Sequence, residues 1–472
     1  MSKPFVHFFE TPKGKYFYDV NTNAIVRVTS RLYEYLNGEI EHFLDNADVA
    51  GEIETLTLAG MLSADKWERI EHPETQLLKE HLDGSIESLT LQITQQCNLR
   101  CKYCPYSGSY YNRKHSNACM NIEIAKKAID FYIQHSFDRC ELDIGFYGGE
   151  PLIQYDMIKE AVEYARKQGE GKKVHFHITT NATLLDMEKI NFLVKNEFKI
   201  MISLDGPREL HDKNRMKTDG KGSFDKVMEN VQLIWEHFPE YVKEIMFNCV
   251  VDGKEDYGCI NDFFTNYDII KDIHTNFSDL VAENIKDNEL LLSSEDYDVA
   301  YQYEIFKLML NKCNLISDKE VSTIVKSYYD FIRKALKGRS VGYIYSSSGH
   351  PGGPCIPGVH KLFVNINGDF YPCEKLNENI KDIVIGNIES GFDFERIEAI
   401  LNVGKTTQEE CKNCWCSRYC YQCIMFSEEE NSLSAERRIS HCKTVRKVTE
   451  DMFRDYCLIK EVEADDNSIY FL

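Results

Sequence analysis

Residues 88–106 read SLTLQITQQCNLRCKYCPY, a strand-like run followed by three closely spaced cysteines. The short apolar run Ser88–Thr94 predicts a buried strand. Cys97, Cys101 and Cys104 follow with C-x3-C-x2-C spacing, which places three thiolates in one tight loop. Thiolates are the ligands that hold iron–sulfur clusters, and three of them on a four-iron cluster leave one iron open to another molecule. A structural zinc or iron–sulfur knuckle is the alternative that the spacing alone leaves open.

This strand is the first of a series in which strands alternate with helices. The predicted strands are Ser88–Thr94, Glu141–Tyr147, Val174–Thr179, Lys199–Leu204 and Glu244–Val251. The predicted helices between them are Asn121–His135, Tyr155–Gln168, Leu184–Asn196 and Ser223–His237. Repeated βα units predict an α/β fold with a parallel sheet, either open or curled into a full or partial barrel. Sites in such folds lie at the C-terminal ends of the strands, so the loops after the first four strands are expected on one functional face.

The segments on either side differ from this core. Three short aromatic and β-branched runs, separated by turn signals, predict a small N-terminal sheet followed by helices. After the core come a helical stretch at 293–337, a Gly/Pro/Ser-rich loop at Tyr345–Gly358, and a hairpin around Asn367-Gly368. The expected domains are residues 1–85, 86–290, 291–345 and 346–472.

Composition excludes some classes of function. A net charge of −21 argues against a nucleic-acid partner, because a phosphate backbone needs a basic surface. No apolar stretch is long enough to span a membrane, and the N-terminus lacks the pattern of a secretory signal. We therefore expect a cytoplasmic protein with no membrane association. The 17 cysteines then indicate metal ligation or redox chemistry instead of disulfides.

The next predicted strand ends in Gly148-Gly149-Glu150-Pro151, where two glycines permit close backbone approach and a carboxylate is expected to face a cationic group. C-x3-C-aromatic-x-C followed by G-G-E-P resembles the radical SAM superfamily. The resemblance implies a partial (β/α)6 TIM-like barrel and a [4Fe-4S] cluster on the three cysteines. It also implies that S-adenosylmethionine (SAM) binds the open iron beside Tyr103, with its amino group on the backbone of the GGEP stretch. Reductive cleavage of SAM would then give a 5′-deoxyadenosyl radical that abstracts a hydrogen atom from the substrate.

Three further residues follow the order of this family. Asn181 comes after the third strand, Ser203 ends the fourth, and Arg215 lies in an H-D-x-x-R stretch that precedes G-S-F. The resemblance implies that all three bind SAM, with Arg215 pairing with its carboxylate as a guanidinium does well. Ordinary strand-end capping is the alternative for Asn181 and Ser203.

The C-terminal cysteines resemble the SPASM domain, the auxiliary-cluster module of radical SAM peptide and protein modifiers. The resemblance implies one [4Fe-4S] cluster on Cys355, Cys373 and Cys423 and another on Cys411, Cys414, Cys420 and Cys442. One interval is shorter than in the family and Cys416 is additional, so the first of these clusters has either an open iron or Cys416 as a fourth ligand. A zinc ribbon is the alternative for the segment. Glu374 occupies the place of an acidic proton acceptor in related sulfatase-maturing enzymes, with a solvated hairpin glutamate as the alternative.

The N-terminal segment, including Tyr16–Asn23, resembles the winged-helix-like domain that binds leader peptides in ribosomal peptide maturases. There, the leader adds a strand to a sheet edge. A structural cap is the alternative.

Together these resemblances imply a radical SAM/SPASM peptide maturase, similar to the enzymes that form thioethers in Cys-rich ribosomal peptides of the sactipeptide and ranthipeptide type. The implied partners are a Cys-rich precursor peptide with a leader and a flavodoxin or ferredoxin-type electron donor. Two alternatives stay open. One is a radical SAM/SPASM enzyme of other outcome, namely sulfatase-maturase-like oxidation, carbon–carbon crosslinking or epimerisation. The other is a non-catalytic iron–sulfur or zinc protein that binds peptides.

Overall fold

The computed structural model describes residues 3–38, 47–107, 109–111, 113–280, 285–286, 293–342, 346–353 and 355–463. The predicted loop at Tyr345–Gly358 lies partly outside these residues, as does the end of the domain expected at 346–472.

A three-stranded antiparallel sheet with the order β1-β2-β3 begins the chain. Its elements and the helices that follow are β1 (Val6–Glu10), β2 (Lys15–Asp19), β3 (Ala24–Val28), α1 (Ser30–Asn37) and α2 (Ala47–Leu58). Side chains alternate between two faces, as in any strand, so that Phe17 and Val26 pack against Leu32 of α1. Tyr16 and Tyr18 lie on the other face. The predicted small sheet is present, whereas its winged-helix character and leader binding stay predictions.

Six parallel strands form the core, in the order β12-β11-β9-β8-β7-β5. The elements from residue 69 to residue 279 are β4 (Arg69–Ile70), α3 (Leu78–Gly84), β5 (Ser88–Thr94), β6 (Leu99–Cys101), α4 (Ile122–Gln134), β7 (Glu141–Gly148), α5 (Tyr155–Gln168), β8 (Lys173–Thr180), α6 (Met187–Lys195), β9 (Lys199–Ser203), α7 (Arg208–Asn214), β10 (Arg215–Lys217), α8 (Phe224–His237), β11 (Ile245–Val251), α9 (Tyr257–Asn266) and β12 (Thr275–Asp279). The five predicted strands are present within about one residue at each end. The sixth, β12, was not predicted because TNFSD lacks an apolar alternation.

Periodicity explains how the helices cover this sheet. Helix α4 begins after Asn121, whose side chain accepts a hydrogen bond from the backbone N–H of Glu123. Its apolar stripe, including Ile129, is buried together with Ile144 and Phe146 of β7. The next residue, Tyr147, therefore lies on the opposite face of the sheet, which is the face that carries the candidate site.

The same sheet continues past β5 into the hairpin predicted around Asn367-Gly368. The remaining elements are α10 (Glu295–Lys312), α11 (Thr323–Lys337), β13 (Ser348–Gly349), β14 (Leu362–Val364), β15 (Asp369–Tyr371), β16 (Gly386–Asn387), β17 (Gly391–Phe392), α12 (Phe394–Leu401), α13 (Gln408–Lys412), β18 (Glu428–Glu429), β19 (Ser432–Leu433), α14 (Ala435–Ser440) and α15 (Cys442–Glu463). Strand β14 pairs in parallel with β5, with Leu362 opposite Leu89. Strand β14 is wholly buried and apolar, and it extends the core sheet beyond β5. Over the described residues this ten-stranded sheet does not close into a barrel.

Helices α11 and α15 join the two ends of the chain. Ile332 of α11 and Phe453 of α15 pack against Phe9 and Tyr18 of the N-terminal sheet. That sheet therefore has helices on both faces. Among the described residues, no helix has both the length and the apolar character needed to cross a bilayer.

Candidate active site

The three cysteines of the first motif lie in the loop that follows β5. The short strand β6 in this loop pairs antiparallel with β10, which places Cys101 opposite Arg215. The backbone N–H of Leu99 donates to Cys97 Sγ at 3.4 Å. Burial is the main reason that the pKa of Cys97 and of Cys101 is raised to about 12, and the neighbouring cysteines of the motif contribute to the same shift. The loop thus gathers three thiols that favour the protonated form until a metal replaces the protons.

Two glycines hold β7 tightly against this loop. A Cβ on Gly148 would lie 2.1 Å from the Thr94 carbonyl oxygen, and one on Gly149 would lie 2.1 Å from that of Gln96. The Gly149 N–H donates to Thr94 at 2.8 Å, and the Glu150 N–H donates to Gln96 at 2.9 Å. These amides are already engaged, so carbonyl oxygens are the groups that the stretch can offer to an amino group.

Glu150 is fully buried and faces hydrogen-bond donors, not the cationic group that the sequence predicted. Its carboxylate accepts from the Thr180 hydroxyl and the Asn181 N–H, both at 2.7 Å, and from the Leu152 N–H at 3.1 Å. Burial raises the pKa of Glu150 to about 7, although these bonds oppose the shift. Glu150 joins the ends of β7 and β8, and Pro151 begins the helical turn that follows.

Asn181 lies beside the cysteine loop. Its amide nitrogen is 3.8 Å from Cys97 Sγ and donates to Asn98 at 2.9 Å. Its oxygen accepts from the Thr183 N–H at 3.0 Å and from the Thr183 hydroxyl. Both readings of the sequence thus fit Asn181, because it caps its own loop and lies next to a predicted iron ligand.

Arg215 is buried and paired within the protein. Its Nε and Nη2 donate to the Asp205 carboxylate at 2.8 and 3.1 Å. The Tyr103 hydroxyl donates to the same carboxylate, and the guanidinium lies 5.3 Å from the Tyr103 ring. Ser203 ends β9 opposite Asn248 of β11 and is largely buried. Asp205 lies between Ser203 and Arg215 in the sequence, and no role was predicted for it.

A second buried ion pair was not predicted at all. Arg113 donates to the Glu378 carboxylate at 2.7 and 2.8 Å, and Gln92 of β5 donates to it at 2.7 Å. Gln92 also donates to the Tyr106 hydroxyl at 2.8 Å. The pair joins the segment after the cysteine loop to the hairpin region, across 265 residues of sequence.

Near the hairpin, Glu374 binds Lys361, with Nζ 2.9 and 3.0 Å from its two carboxylate oxygens. Burial raises the pKa of Glu374, but the Lys361 ammonium outweighs it and holds that pKa below its ordinary value. The charge of Glu374 raises the pKa of Tyr147, and the thiolate of Cys104 would raise it as well. Glu374 is therefore an ion-paired carboxylate near the sheet face that carries the first motif.

The C-terminal cysteines form two groups. Cys355 and Cys423 both act electrostatically on Cys373, whose pKa burial raises to about 12. Cys411, Cys414, Cys420 and Cys442 instead line one cavity of about 40 Å³, together with the guanidinium-bearing Arg438 and Arg446. The structure thus brings together the same sets that the sequence separated.

Cys416 contacts the four-cysteine group through Cys414, but its thiol is turned toward α15. It is fully buried, and its Sγ lies 3.1 Å from the Thr449 hydroxyl of α15. It does not line the cavity of the four cysteines. A hydrogen bond from Cys416 lowers the pKa of Cys414 to about 7.

The donor atoms around both motifs fit iron–sulfur clusters. The cysteines are free thiols, and thiolate-only sets are what such clusters take. Within the described ranges, no three His, Cys, Asp or Glu side chains converge as a single metal ion would require. Arg438, with only 2% of its surface exposed, adds a positive charge beside the cavity, where an anionic group fits.

Comparison with known proteins matches the region that contains the first cysteine motif. Residues 91–264 match the Radical SAM superfamily, whose cofactors are a [4Fe-4S] cluster and SAM. A cysteine-type anaerobic sulfatase-maturating enzyme of Clostridium novyi is 32% identical over 162 residues, which are 33% of this chain and 42% of that enzyme. A cysteine-type enzyme of the same name from Clostridium perfringens is 26% identical over 365 residues, which are 71% of this chain and 89% of that enzyme.

The solved structure of native anSMEcpe with bound AdoMet and Cp18Cys peptide has a TM-score of 0.57 at 24% identity, and the match covers 79% of this chain and 99% of that chain. At this identity the likeness shows the fold, a mixed α/β radical SAM fold. The chain therefore carries a radical SAM domain at residues 91–264 and is a homologue of the anaerobic sulfatase-maturating enzymes.

Proposed function

We propose that this chain is a radical SAM peptide maturase that modifies a residue of a ribosomally made precursor. The observation that carries the proposal is that the loop bearing Cys97, Cys101 and Cys104 lies against the two glycines of β7 and pairs with the strand that begins at Arg215. When bound, the cluster and SAM supply a 5′-deoxyadenosyl radical that removes a hydrogen atom from the substrate. The protein has to hold SAM, orient the substrate and exclude other hydrogen donors.

Different residues around the cysteine loop are proposed to perform these tasks. The glycines let β7 approach the cysteine loop closely, and Glu150 fixes the stretch that follows them. Arg215 offers a guanidinium to the SAM carboxylate, while Asp205 keeps that guanidinium in place and clamps Tyr103. Ser203 and Asn181 complete the proposed SAM site from the ends of β9 and β8.

Two further cluster sites are part of the proposal. Cys411, Cys414, Cys420 and Cys442 would hold one auxiliary [4Fe-4S] cluster, and Cys355, Cys373 and Cys423 the other. The direction of Cys416 toward Thr449 favours an open iron in the three-cysteine site. An open iron would suit a substrate thiol. A flavodoxin or ferredoxin-type protein would supply the electrons.

A peptide substrate is supported by two features. The structurally similar anSMEcpe has been solved with a bound peptide. In this chain the N-terminal sheet has no further strand on either outer edge among the residues described, and such an edge is where an extended leader can add a strand.

The product is proposed to be a thioether between a cysteine and a carbon of the same peptide. Sulfatase-maturase-like oxidation of a serine or cysteine is the second candidate, favoured by the relatives from both Clostridium species and by Glu374, a carboxylate able to accept a proton. The two candidates share every step up to hydrogen removal.

The test uses anaerobically reconstituted protein, SAM, dithionite and two peptides: Cp18Cys, and a cysteine-rich precursor chosen from the short reading frames that adjoin the gene. A thioether lowers the peptide mass by two hydrogens and removes one thiol that iodoacetamide can alkylate. Oxidation instead creates a carbonyl that a hydrazide captures. Release of 5′-deoxyadenosine with neither peptide changed by any mass shift would contradict the proposal.

A further inference from the structure

Arg438 of α14 is a buried cation without a carboxylate partner among the described residues. It is the bulkiest of the fully buried side chains. Its Nη1 donates to the Cys423 carbonyl at 3.1 Å, and its Nη2 donates to the Gln422 carbonyl at 3.2 Å. These acceptors are neutral, so they satisfy hydrogen bonds without cancelling the charge. An uncompensated buried charge is strongly unfavourable, which indicates that an anion belongs beside it.

The nearby acidic residues do not supply this anion. Glu428 is buried and acts on Cys423, but its carboxylate accepts from the Asn377 N–H at 2.9 Å and forms no ion pair with Arg438. Glu410 lines the same cavity, but its side chain is exposed to solvent. Apart from Glu410, the residues that line the cavity with Arg438 are neutral or, at Arg446, cationic, and four of them are cysteines.

Arg438 lies between the two groups of C-terminal cysteines. On one side it lines the cavity of Cys411, Cys414, Cys420 and Cys442. On the other it binds the backbone of Cys423, a member of the second group. The positive charge of Arg438 thus lies next to both groups of cysteines.

We propose that Arg438 is the internal counter-ion of the auxiliary clusters and raises their reduction potentials. A cluster held by thiolates is anionic and gains one more negative charge on reduction, so a fixed cation nearby favours the reduced state. Burial keeps water and salt from screening this effect. The inference rests on the cluster assignment of the proposed function, but not on the peptide or its chemistry.

Arg437 provides a matched control, because it is the adjacent arginine on the same helix and does not line the cavity. The variants Arg438→Gln, Arg438→Lys and Arg437→Gln are purified anaerobically and reconstituted. Iron and sulfide are counted, and each cluster is titrated by EPR against a set potential. We expect Arg438→Gln to shift the auxiliary midpoints to more negative potentials and to leave the SAM-binding cluster unchanged. Arg438→Lys should keep most of the wild-type value, and Arg437→Gln all of it.

The outcomes distinguish an electrostatic role of Arg438 from a purely structural one. Full iron content with unchanged midpoints in Arg438→Gln would overturn the proposal, as would equal shifts in the Gln and Lys variants. Arg438→Gln could take up no auxiliary iron at all. In that case, retention of the iron by Arg438→Lys supports a counter-ion role for Arg438. Loss of the iron in both variants contradicts that role. Wild-type protein that assembles only one cluster would instead refute the cluster assignment.

Discussion

Two buried arginines distinguish the two cysteine-rich regions of this molecule. Near the first motif, Arg215 forms a two-point ion pair with Asp205. Near the C-terminal cysteines, Arg438 binds only carbonyl oxygens. The charge of Arg215 is thus neutralised by the chain itself, whereas that of Arg438 is neutralised only when an anionic group is bound beside it.

The regions also differ in how they are built. The first takes its cysteines from one loop of eight residues, which the β6–β10 ladder and the glycines of β7 hold in place. In the second, the four-cysteine group takes Cys411 from α13, Cys442 from α15, and Cys414 and Cys420 from the turns between them. We therefore expect the first site to be preformed without cofactor and the second to become ordered as its clusters assemble.

The largest expected effect separates the two regions by function. Cys101→Ser removes one iron ligand of the SAM site, so the variant should lose one cluster of iron and release no 5′-deoxyadenosine above background. The matched control is Cys416→Ser, which alters a buried cysteine outside the cavity. It should keep its full iron content and its cleavage activity. If Cys416→Ser lost iron and cleavage activity while Cys101→Ser stayed active, the assignment of Cys101 to the SAM site would be wrong.

We expect substitutions that affect the two arginines to have different effects on the stability of the metal-free protein. Asp205→Asn leaves Arg215 buried and unpaired, which should lower the free energy of unfolding by about 3 kcal/mol. Arg438→Met removes a charge that has no partner and should leave the metal-free protein at least as stable as wild type. Urea unfolding under anaerobic, iron-free conditions measures both. Equal destabilisation by the two variants would remove the distinction between the regions.

Much of the first region could be predicted from sequence because its signals are local. Cys97 to Cys104 and Gly148 to Pro151 are contiguous stretches at the ends of apolar strands. The partners that hold them are not local, since Arg113 meets Glu378 and β14 meets β5 only in the folded chain. A lone Arg in a polar helix likewise gives no signal that it will be buried, as Arg438 shows. The sequence grouped the C-terminal cysteines by family pattern, but it could not tell which way Cys416 points.

A smaller effect concerns pH and again belongs to the first region. The pKa of Glu150 rises in the folded state from its ordinary 4.5 to about 7 because it is buried. The folded protein therefore binds this proton more tightly than the unfolded chain does. The raised pKa of Glu150 stabilises the folded state by up to about 3 kcal/mol below pH 4.5, and this contribution is lost as the pH rises through 7. Glu150→Gln should flatten this part of the stability profile of the metal-free protein. A variant profile that still falls by the same amount would assign the effect to another group.

The smallest expected effect is at the Lys361–Glu374 pair, which is only partly buried. Lys361→Met should change the free energy of unfolding by about 0.5 kcal/mol. It should also raise the pKa of Glu374, because the ammonium that lowers it is gone. If Glu374 accepts a proton during turnover, the acidic limb of the pH–rate profile moves to higher pH. An unmoved limb would assign Glu374 to the hairpin structure alone.

The most direct test of the account is SAM cleavage by the wild-type protein. Anaerobically reconstituted protein with its [4Fe-4S] content measured is reduced with dithionite and incubated with SAM. The account predicts 5′-deoxyadenosine and methionine in equal amounts, with none from a variant in which Cys97, Cys101 and Cys104 are all serine. A fully loaded, reduced protein that leaves SAM intact would contradict it.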